Sequence, residues 1–289
     1  MDEFRLGEQM VRRIGYGAMQ LTGPGVFGPP RDRGEAVAVL RAAVAAGVNH
    51  IDTAQYYGPD VVNELIREAL YPYPDNLALV SKVAARRDRS GAVLPYDEPH
   101  ELRQGIEDNL RTLGVERLAV VNLRLMDNSA PSQRFDDQLA ALVKARDDGL
   151  IAAVGLSNIS VAHLTRALET TEIACVQNLF NLSDRTSSPV LEACRSAGIA
   201  FVPYCPLRFP RSERDRFLIE PAVLEIANRT GATAAQVALA WLLGLSPNIL
   251  LIAGTSSPQH LAENLAAGDL RLDEEDVARL ATALAAPPN

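Results

Sequence analysis

The feature that most limits the fold of this chain is a repeated alternation. Short apolar, β-rich runs begin near Ile14, Val48, Leu77, Leu118, Ile151, Ala174, Ile199 and Ile249, with amphipathic segments between them. In one such segment Leu102, Ile106, Leu110 and Leu113 recur at steps of four, four and three, which places them on one helical face. In another, Val37, Leu40 and Val44 run up to Gly47, a residue suited to closing a helix. A third carries Leu139, Leu142 and Val143 before Asp147-Asp148-Gly149. The strands LALVSKV, LAVVNLRL and IAAVGLS are apolar nearly throughout, the pattern of strands covered on both faces. Repeated β–helix–β order with short connections calls for right-handed crossovers and a parallel sheet. Eight units within 289 residues predict a closed (β/α)8 TIM barrel, one domain over residues 1–289, with extra C-terminal helices. The opening FRLGEQMVRRI reads as a small hairpin plugging the base. An open doubly wound sheet is the alternative. Against it, residues 15–20 read Gly-Tyr-Gly-Ala-Met-Gln, without the G-x-G-x-x-G of a dinucleotide fold.

Composition narrows the function classes. Apolar residues at 47% and charged residues at 22% are those of an ordinary globular protein. Lys plus Arg is 28 against 36 Asp plus Glu, so the net charge is −8. This balance argues against a broad nucleic-acid or anionic-membrane surface, while leaving room for a small phosphate site. Cys175, Cys194 and Cys205 are far apart and form no CxxC, so neither a disulfide framework nor a zinc or other metal site is expected. The start, MDEFRLGEQM, lacks an apolar signal core, and no run approaches a membrane span, so a reducing cytoplasm is the expected compartment. Irregular stretches near residues 20–34, 84–98 and 205–219, rich in Pro, Gly or Arg, are candidate binding loops.

In a barrel of this kind chemistry sits where strands end. The successive runs end in Asp52 (with Tyr57 five residues on), Lys82, Arg124, Ser157-Asn158, Gln177, Tyr204 and Gly254-Thr255-Ser256. An inert barrel has no need for such a ring of polar groups. Ile51-Asp-Thr-Ala-Gln-Tyr-Tyr-Gly58, Asn63-Glu64 and Ser81-Lys82 resemble the signature of the aldo-keto reductases. So do Gly155-Leu-Ser-Asn158, Gln177 with Asn181, Pro203-Tyr-Cys-Pro-Leu207 and the stretch Gly254 to Asn264. The likeness runs from about residue 3 to 285, and it is specific through the order and spacing of its blocks. It implies a (β/α)8 barrel that binds NADP(H), with NAD(H) the less favoured cofactor, and reduces a small-molecule aldehyde or ketone to an alcohol.

Carbonyl reduction needs a hydride, which no side chain gives, and a proton. The resemblance makes Tyr57 the acid, Lys82 the cation beside it and Asp52 the partner that holds Lys82 charged. A phenol of pKa near 10 would then be drawn toward operating pH by the neighbouring ammonium. The family usually carries a His at the end of the fourth strand; here Val120-Val-Asn-Leu-Arg-Leu-Met126 puts Arg124 in that place. Its guanidinium stays charged and could hydrogen-bond the substrate oxygen and lower the phenol further. The alternative is that Arg124 turns away to pair with a carboxylate such as Asp127. The VVNLR variant also resembles a bacterial branch that includes NADPH-dependent pyridoxal reductases, which makes pyridoxal a candidate substrate.

The resemblance also assigns the cofactor contacts. Ser157, Asn158 and Gln177 would bond the nicotinamide carboxamide, and Tyr204 would stack on its ring. Gly17 and Met19 would line the approach, with Pro206 and Leu207 completing that side. Gly254, Thr255 and Ser256 lead into a helix near Pro258 whose free N–H groups suit a phosphate, and Glu263 and Asn264 would meet the adenine. His260 stands where an Arg often binds the 2′-phosphate, and no Lys or Arg lies between Leu245 and Leu270, so the preference for NADP over NAD should be small. Among the remaining residues, His50 and His163 read as packing groups, Arg86-Arg87-Asp88-Arg89 as a solvated loop and Trp241 as core. Specificity should rest on the loops at about 125–134 and 205–219. The competing functions are a cofactor-binding sensor with little turnover, and a phosphate-handling barrel isomerase or aldolase without a nicotinamide site.

Overall fold

The computed structural model describes residues 2–127, 129–207 and 218–283. The chain opens on an antiparallel hairpin, β1 (Glu3–Leu6) and β2 (Gln9–Arg12). Parallel strands follow: β3 (Tyr16–Gly17), β4 (His50–Asp52), β5 (Ala78–Arg87), β7 (Leu118–Arg124), β8 (Ile151–Ser157), β9 (Cys175–Leu179) and β10 (Ala200–Tyr204). The eighth place in the barrel is held by the segment around Ile249–Leu251. It joins by isolated parallel bridges, Ile14 to Leu251 on one side and Phe201 to Ile249 on the other. Bonds from Gly15 N to Leu251 O (2.8 Å) and from Phe201 N to Asn248 O (2.8 Å) tie it in and close the ring.

Around the strands lie α1 (Arg33–Ala45), α2 (Val61–Leu70), α3 (Pro99–Leu113), α4 (Gln133–Asp147), α5 (Val161–Leu168) and α6 (Ser188–Ser196). They are followed by α7 (Pro221–Thr230), α8 (Ala234–Leu245), α9 (Pro258–Ala266) and α10 (Glu274–Ala283). Local chemistry sets their starts. Asp32 accepts from Glu35 N ahead of α1, and Thr233 and Gln236 form a reciprocal capping box at α8. None of the helices among the described residues is long and apolar enough to cross a membrane.

Strand alternation decides what faces the lumen. Val80, Val120, Cys175, Val202, Leu250 and Ile252 share one interior cluster with Leu6 and Val11 of the hairpin. The hairpin thus plugs the lumen from below, as its sequence position implied. Outward-facing residues join the larger cluster between sheet and helices, where Trp241 stacks on Phe180 at 6.4 Å. His163 is also structural: it forms a capping box with Ser160 and meets the ring of Phe135 edge-on.

One expectation changes. The stretch at 84–98 is not an irregular loop, because β5 runs on through Arg87 and β6 (Val93–Tyr96) returns antiparallel along it. The Asp88 carboxylate accepts from Ser90 N and Ala92 N and shapes the turn between them. Most of the 205–219 loop lies outside the described residues.

His50 is fully buried, and neither ring nitrogen reaches a hydrogen-bond partner. Burial pushes its pKa down to about 4. The unfolded chain therefore takes up a proton here from about pH 6.5 downward, while the folded chain does so only near 4. Stability from this group is present above about pH 6.5 and declines as pH falls through that window, by up to about 3 kcal/mol. Urea midpoints measured between about pH 7 and 4 should fall less steeply in His50→Gln than in the parent; equal slopes would show that His50 does not titrate with folding.

Candidate active site

The inward residues change character at the C-terminal rim. Strand register brings them to one level: Gly17 pairs with Asp52, Arg124 with Ser157, and Ser157 with Gln177. They open on a cavity of about 270 Å³. Gly17, Met19, Asp52, Tyr57, Lys82 and Arg124 line one part of it. Ser157, Gln177, Tyr204, Pro206, Leu207 and Gly254 line the rest. A larger cavity of about 580 Å³ lies between Arg13, α8 and α10. Arg13 is bonded there to the carbonyls of Leu243, Ser246 and Ile249, and Asp2, Arg271, Asp273 and Glu274 also line that cavity.

At the centre of the rim is a buried ion pair. Lys82 Nζ lies 2.5 Å from Asp52 Oδ1, with 4% and 5% of the two side chains exposed. Lys82 also donates to the Thr53 carbonyl at 2.9 Å. The other carboxylate oxygen, Asp52 Oδ2, accepts from Gln177 Nε2 at 2.8 Å. That bond fixes the amide of Gln177 and leaves its Oε1 buried without a partner. Behind the pair runs a second buried network. Thr53 Oγ1 donates to Asn63 Oδ1 (2.8 Å), and Asn63 Nδ2 donates to Asn109 Oδ1 (2.9 Å) and Thr112 Oγ1 (3.0 Å). Ser81 Oγ donates to the same Asn109 oxygen. The residues next to Asp52 and Lys82 are thereby tied to α2 and α3.

Tyr57 stands on the turn after β4, its amide bonded to Ala54 O at 3.0 Å. Its ring meets Tyr56 edge-on at 5.3 Å, and Lys82 Nζ sits 5.0 Å from its centroid. The phenol is held well above its ordinary pKa by burial and then by the Asp52 carboxylate, against a smaller downward pull from Arg124 and Arg87. This reverses the expectation that Lys82 draws the phenol toward neutrality. The ammonium is engaged by Asp52, so its field arrives at the phenol with a carboxylate beside it. Burial and Asp52 thus both favour the neutral phenol.

Arg124 does not turn away to Asp127. Its Nη1 lies 3.1 Å from Met126 Sδ, and among the described residues it forms no ion pair. Asp127 bonds Ser129 N instead, at 3.0 Å. Arg87, read from the sequence as part of a solvated loop, lines the cavity from β5. Tyr56, Val93 and Cys205 also reach it unanticipated. A sign of this was available: the strand-like LALVSKVAARR, a turn at Asp88-Arg-Ser-Gly91, and then VLPY describe a hairpin. Burial pushes the Cys205 thiol up to about 11, which leaves it inert at neutral pH.

Two glycines shape the wall. A Cβ on Gly17 would stand 2.3 Å from Ile252 O, and one on Gly254 would stand 2.3 Å from Gly17 O, so β3 and the eighth segment close only without side chains. Several expected cofactor residues are not on the cavity. Asn158, left-handed at φ 60, donates Nδ2 to Leu125 O at 2.8 Å. Thr255 is buried, its carbonyl accepting from Tyr16 Oη and its hydroxyl from Ser257 N at 3.0 Å. Ser256 and His260 are exposed around the start of α9, Glu263 is half-buried and Asn264 is buried.

A nicotinamide group is compatible with these residues. The orphaned Gln177 Oε1 is an acceptor awaiting an N–H donor, which a carboxamide has, and the half-buried Tyr204 ring flanks the same cavity. Fold and rim together define a (β/α)8 barrel with a buried acid–base cluster at its open end. The aldo/keto reductase family model matches residues 13–285, and the chain belongs to that family. It is 49% identical over 280 residues to the pyridoxine 4-dehydrogenase of Escherichia coli, with 96% of each chain covered. An uncharacterized oxidoreductase of Schizosaccharomyces pombe is 36% identical over 96% of this chain and 88% of its own length. Among solved structures, an aldo/keto reductase of Klebsiella pneumoniae in complex with NADP and acetate is 28% identical. It superposes with a TM-score of 0.79 over 96% of this chain and 93% of its own.

The Asp52–Lys82 pair gives a direct test of this geometry. Lys82→Met should cost about 3–5 kcal/mol in urea unfolding, because it leaves a carboxylate buried and unpaired. Lys82→Met combined with Asp52→Asn should recover most of that loss. A cost below about 1 kcal/mol for the single variant would mean that Asp52 has another route to solvent or to a partner.

Proposed function

We propose that this protein is an NADP(H)-dependent carbonyl reductase with Tyr57 as the proton donor, and that its substrate pair is pyridoxal and pyridoxine. The observation that carries the reading is the buried Tyr57 ring 5.0 Å from the Nζ of Lys82, itself paired with Asp52, in a rim that also carries the unpartnered Gln177 oxygen. When bound, the nicotinamide supplies hydride to the carbonyl carbon. Gln177 Oε1 accepts from the carboxamide and fixes which ring face is presented, with Ser157 beside it and Tyr204 stacked against the ring. The substrate oxygen lies against the Tyr57 hydroxyl, which gives up its proton as negative charge develops. Arg124 donates to the same oxygen in place of the imidazole usual in the family. Its fixed charge, with that of Arg87, favours the phenolate as it forms.

The raised phenol pKa fits this role. A developing alkoxide is a far stronger base than a phenolate, so an acid that stays protonated at operating pH is loaded for every turnover. Ser256 and the exposed His260, at the start of α9, hold the phosphate of the cofactor's adenosine half. The substrate follows from the 49% relative, whose name gives the alcohol side of the pair. Dehydrogenation of pyridoxine at that position yields pyridoxal.

Two measurements test the reading. NADPH oxidation followed at the nicotinamide band should proceed with pyridoxal, and Tyr57→Phe should reduce kcat by about 10²–10⁴-fold with cofactor binding retained. Cofactor binding without turnover of any aldehyde would instead indicate a sensor. Dissociation constants should favour NADPH over NADH, by less than a bidentate arginine on the 2′-phosphate would give; tighter NADH binding would overturn the cofactor assignment.

A further inference from the structure

The mouth of the cavity carries more positive charge than the reduction of a neutral carbonyl requires. Lys82 and Asp52 cancel each other. Arg87 and Arg124 line the same space, and among the described residues neither meets a carboxylate. Arg87 is also held in place. Its Nε donates to Tyr56 O at 3.2 Å and its Nη1 to Gly91 O at 2.6 Å. Carbonyl oxygens orient a guanidinium without neutralising it. Arg124 has only the Met126 thioether beside it, a weak acceptor at 3.1 Å. Two half-buried arginines that line one cavity make it locally cationic in a chain whose net charge is −8. Both act on the Tyr57 phenol, so both lie within electrostatic reach of the proposed proton donor.

We propose that Arg87 and Arg124 form a subsite for an anionic oxygen substituent on the carbonyl substrate, a carboxylate or an ionised ring hydroxyl, so that anionic aryl aldehydes are selected over neutral ones. The inference rests on the carbonyl-reductase reading for the nature of the substrate. The ionised ring hydroxyl of pyridoxal, next to its aldehyde, is a group of this class. Planar guanidinium donors suit a carboxylate or phenolate oxygen better than they suit an uncharged substituent. The phosphates of the cofactor are the competing anion for the same pair of cations.

The test is calorimetric titration of benzoate and of the isosteric, uncharged benzamide into the full chain saturated with NADP+, with NADP+ binding measured beside it. Benzoate should bind at least about tenfold more tightly than benzamide. That ratio should fall to within about threefold of unity in Arg87→Met combined with Arg124→Met, and Arg87→Lys should retain part of it. Equal affinity of the two ligands in the parent chain overturns the proposal. So does a ratio that survives in the double variant, including the case where only NADP+ binding weakens and the guanidiniums serve the cofactor. Because the readout is binding, loss of the reductase reading would appear separately, as absence of aldehyde turnover in the parent chain.

Discussion

Two opposite charges taken out of water, Lys82 and Asp52, are the constraint around which the rim is organised. Desolvating them is costly, and the structure compensates at short range: 2.5 Å between them, with further bonds to Thr53 O and from Gln177 Nε2. Each of those bonds has a second consequence. The Gln177 bond turns that amide so that its oxygen is the orphan. The Thr53 bond draws in the residue that begins the Asn63–Asn109 network. The carboxylate that stabilises the ammonium also opposes ionisation of Tyr57. The pair thus adds to burial in favouring the neutral phenol, while Arg87 and Arg124 line the same cavity without meeting a carboxylate among the described residues.

Why these groups meet at all follows from the alternation of strands in a parallel barrel. The same parity that sends Val80 and Val120 into the lumen sends Lys82 and Arg124 there a little higher, and the hairpin fills the lumen below with Leu6 and Val11. An apolar base sealed by a plug leaves only the upper rim open, so the polar ends of the strands share one small cavity. Gly17 and Gly254 let the first and last members of the ring approach closely enough to complete its wall.

Much of this was legible in the sequence because it depends on local pattern. The apolar runs marked the strands, including the short eighth, and strand-end polarity marked Asp52, Lys82, Arg124, Ser157, Gln177 and Tyr204. What escaped depends on third partners. Nothing in the residues around Tyr57 tells that burial and Asp52 outweigh the cations, since that balance is set by depth and by which charge Lys82 faces. Arg87 escaped because a run of charged residues was read as solvated, and because plain alternation from Lys82 puts it on the other face; Ala84, left-handed at φ 86, interrupts that alternation within β5, and Arg87 lines the cavity beside Val93 of the returning β6. Asn158 and Thr255 were expected to face a ligand, but their polar groups are engaged by Leu125 O, Tyr16 and Ser257 N. Backbone partners of this kind have no signature in one sequence.

The central physical claim is that Tyr57 stays protonated while Lys82 stands beside its ring. It is tested most directly by titrating protein labelled with 13C at tyrosine Cζ, assigning the Tyr57 resonance by its loss in Tyr57→Phe. The account predicts that this resonance keeps its neutral-phenol shift past about pH 10, beyond the point where an ordinary tyrosine titrates. A midpoint well below about pH 10 would show that the ammonium governs the phenol after all, and that burial and the Asp52 carboxylate do not.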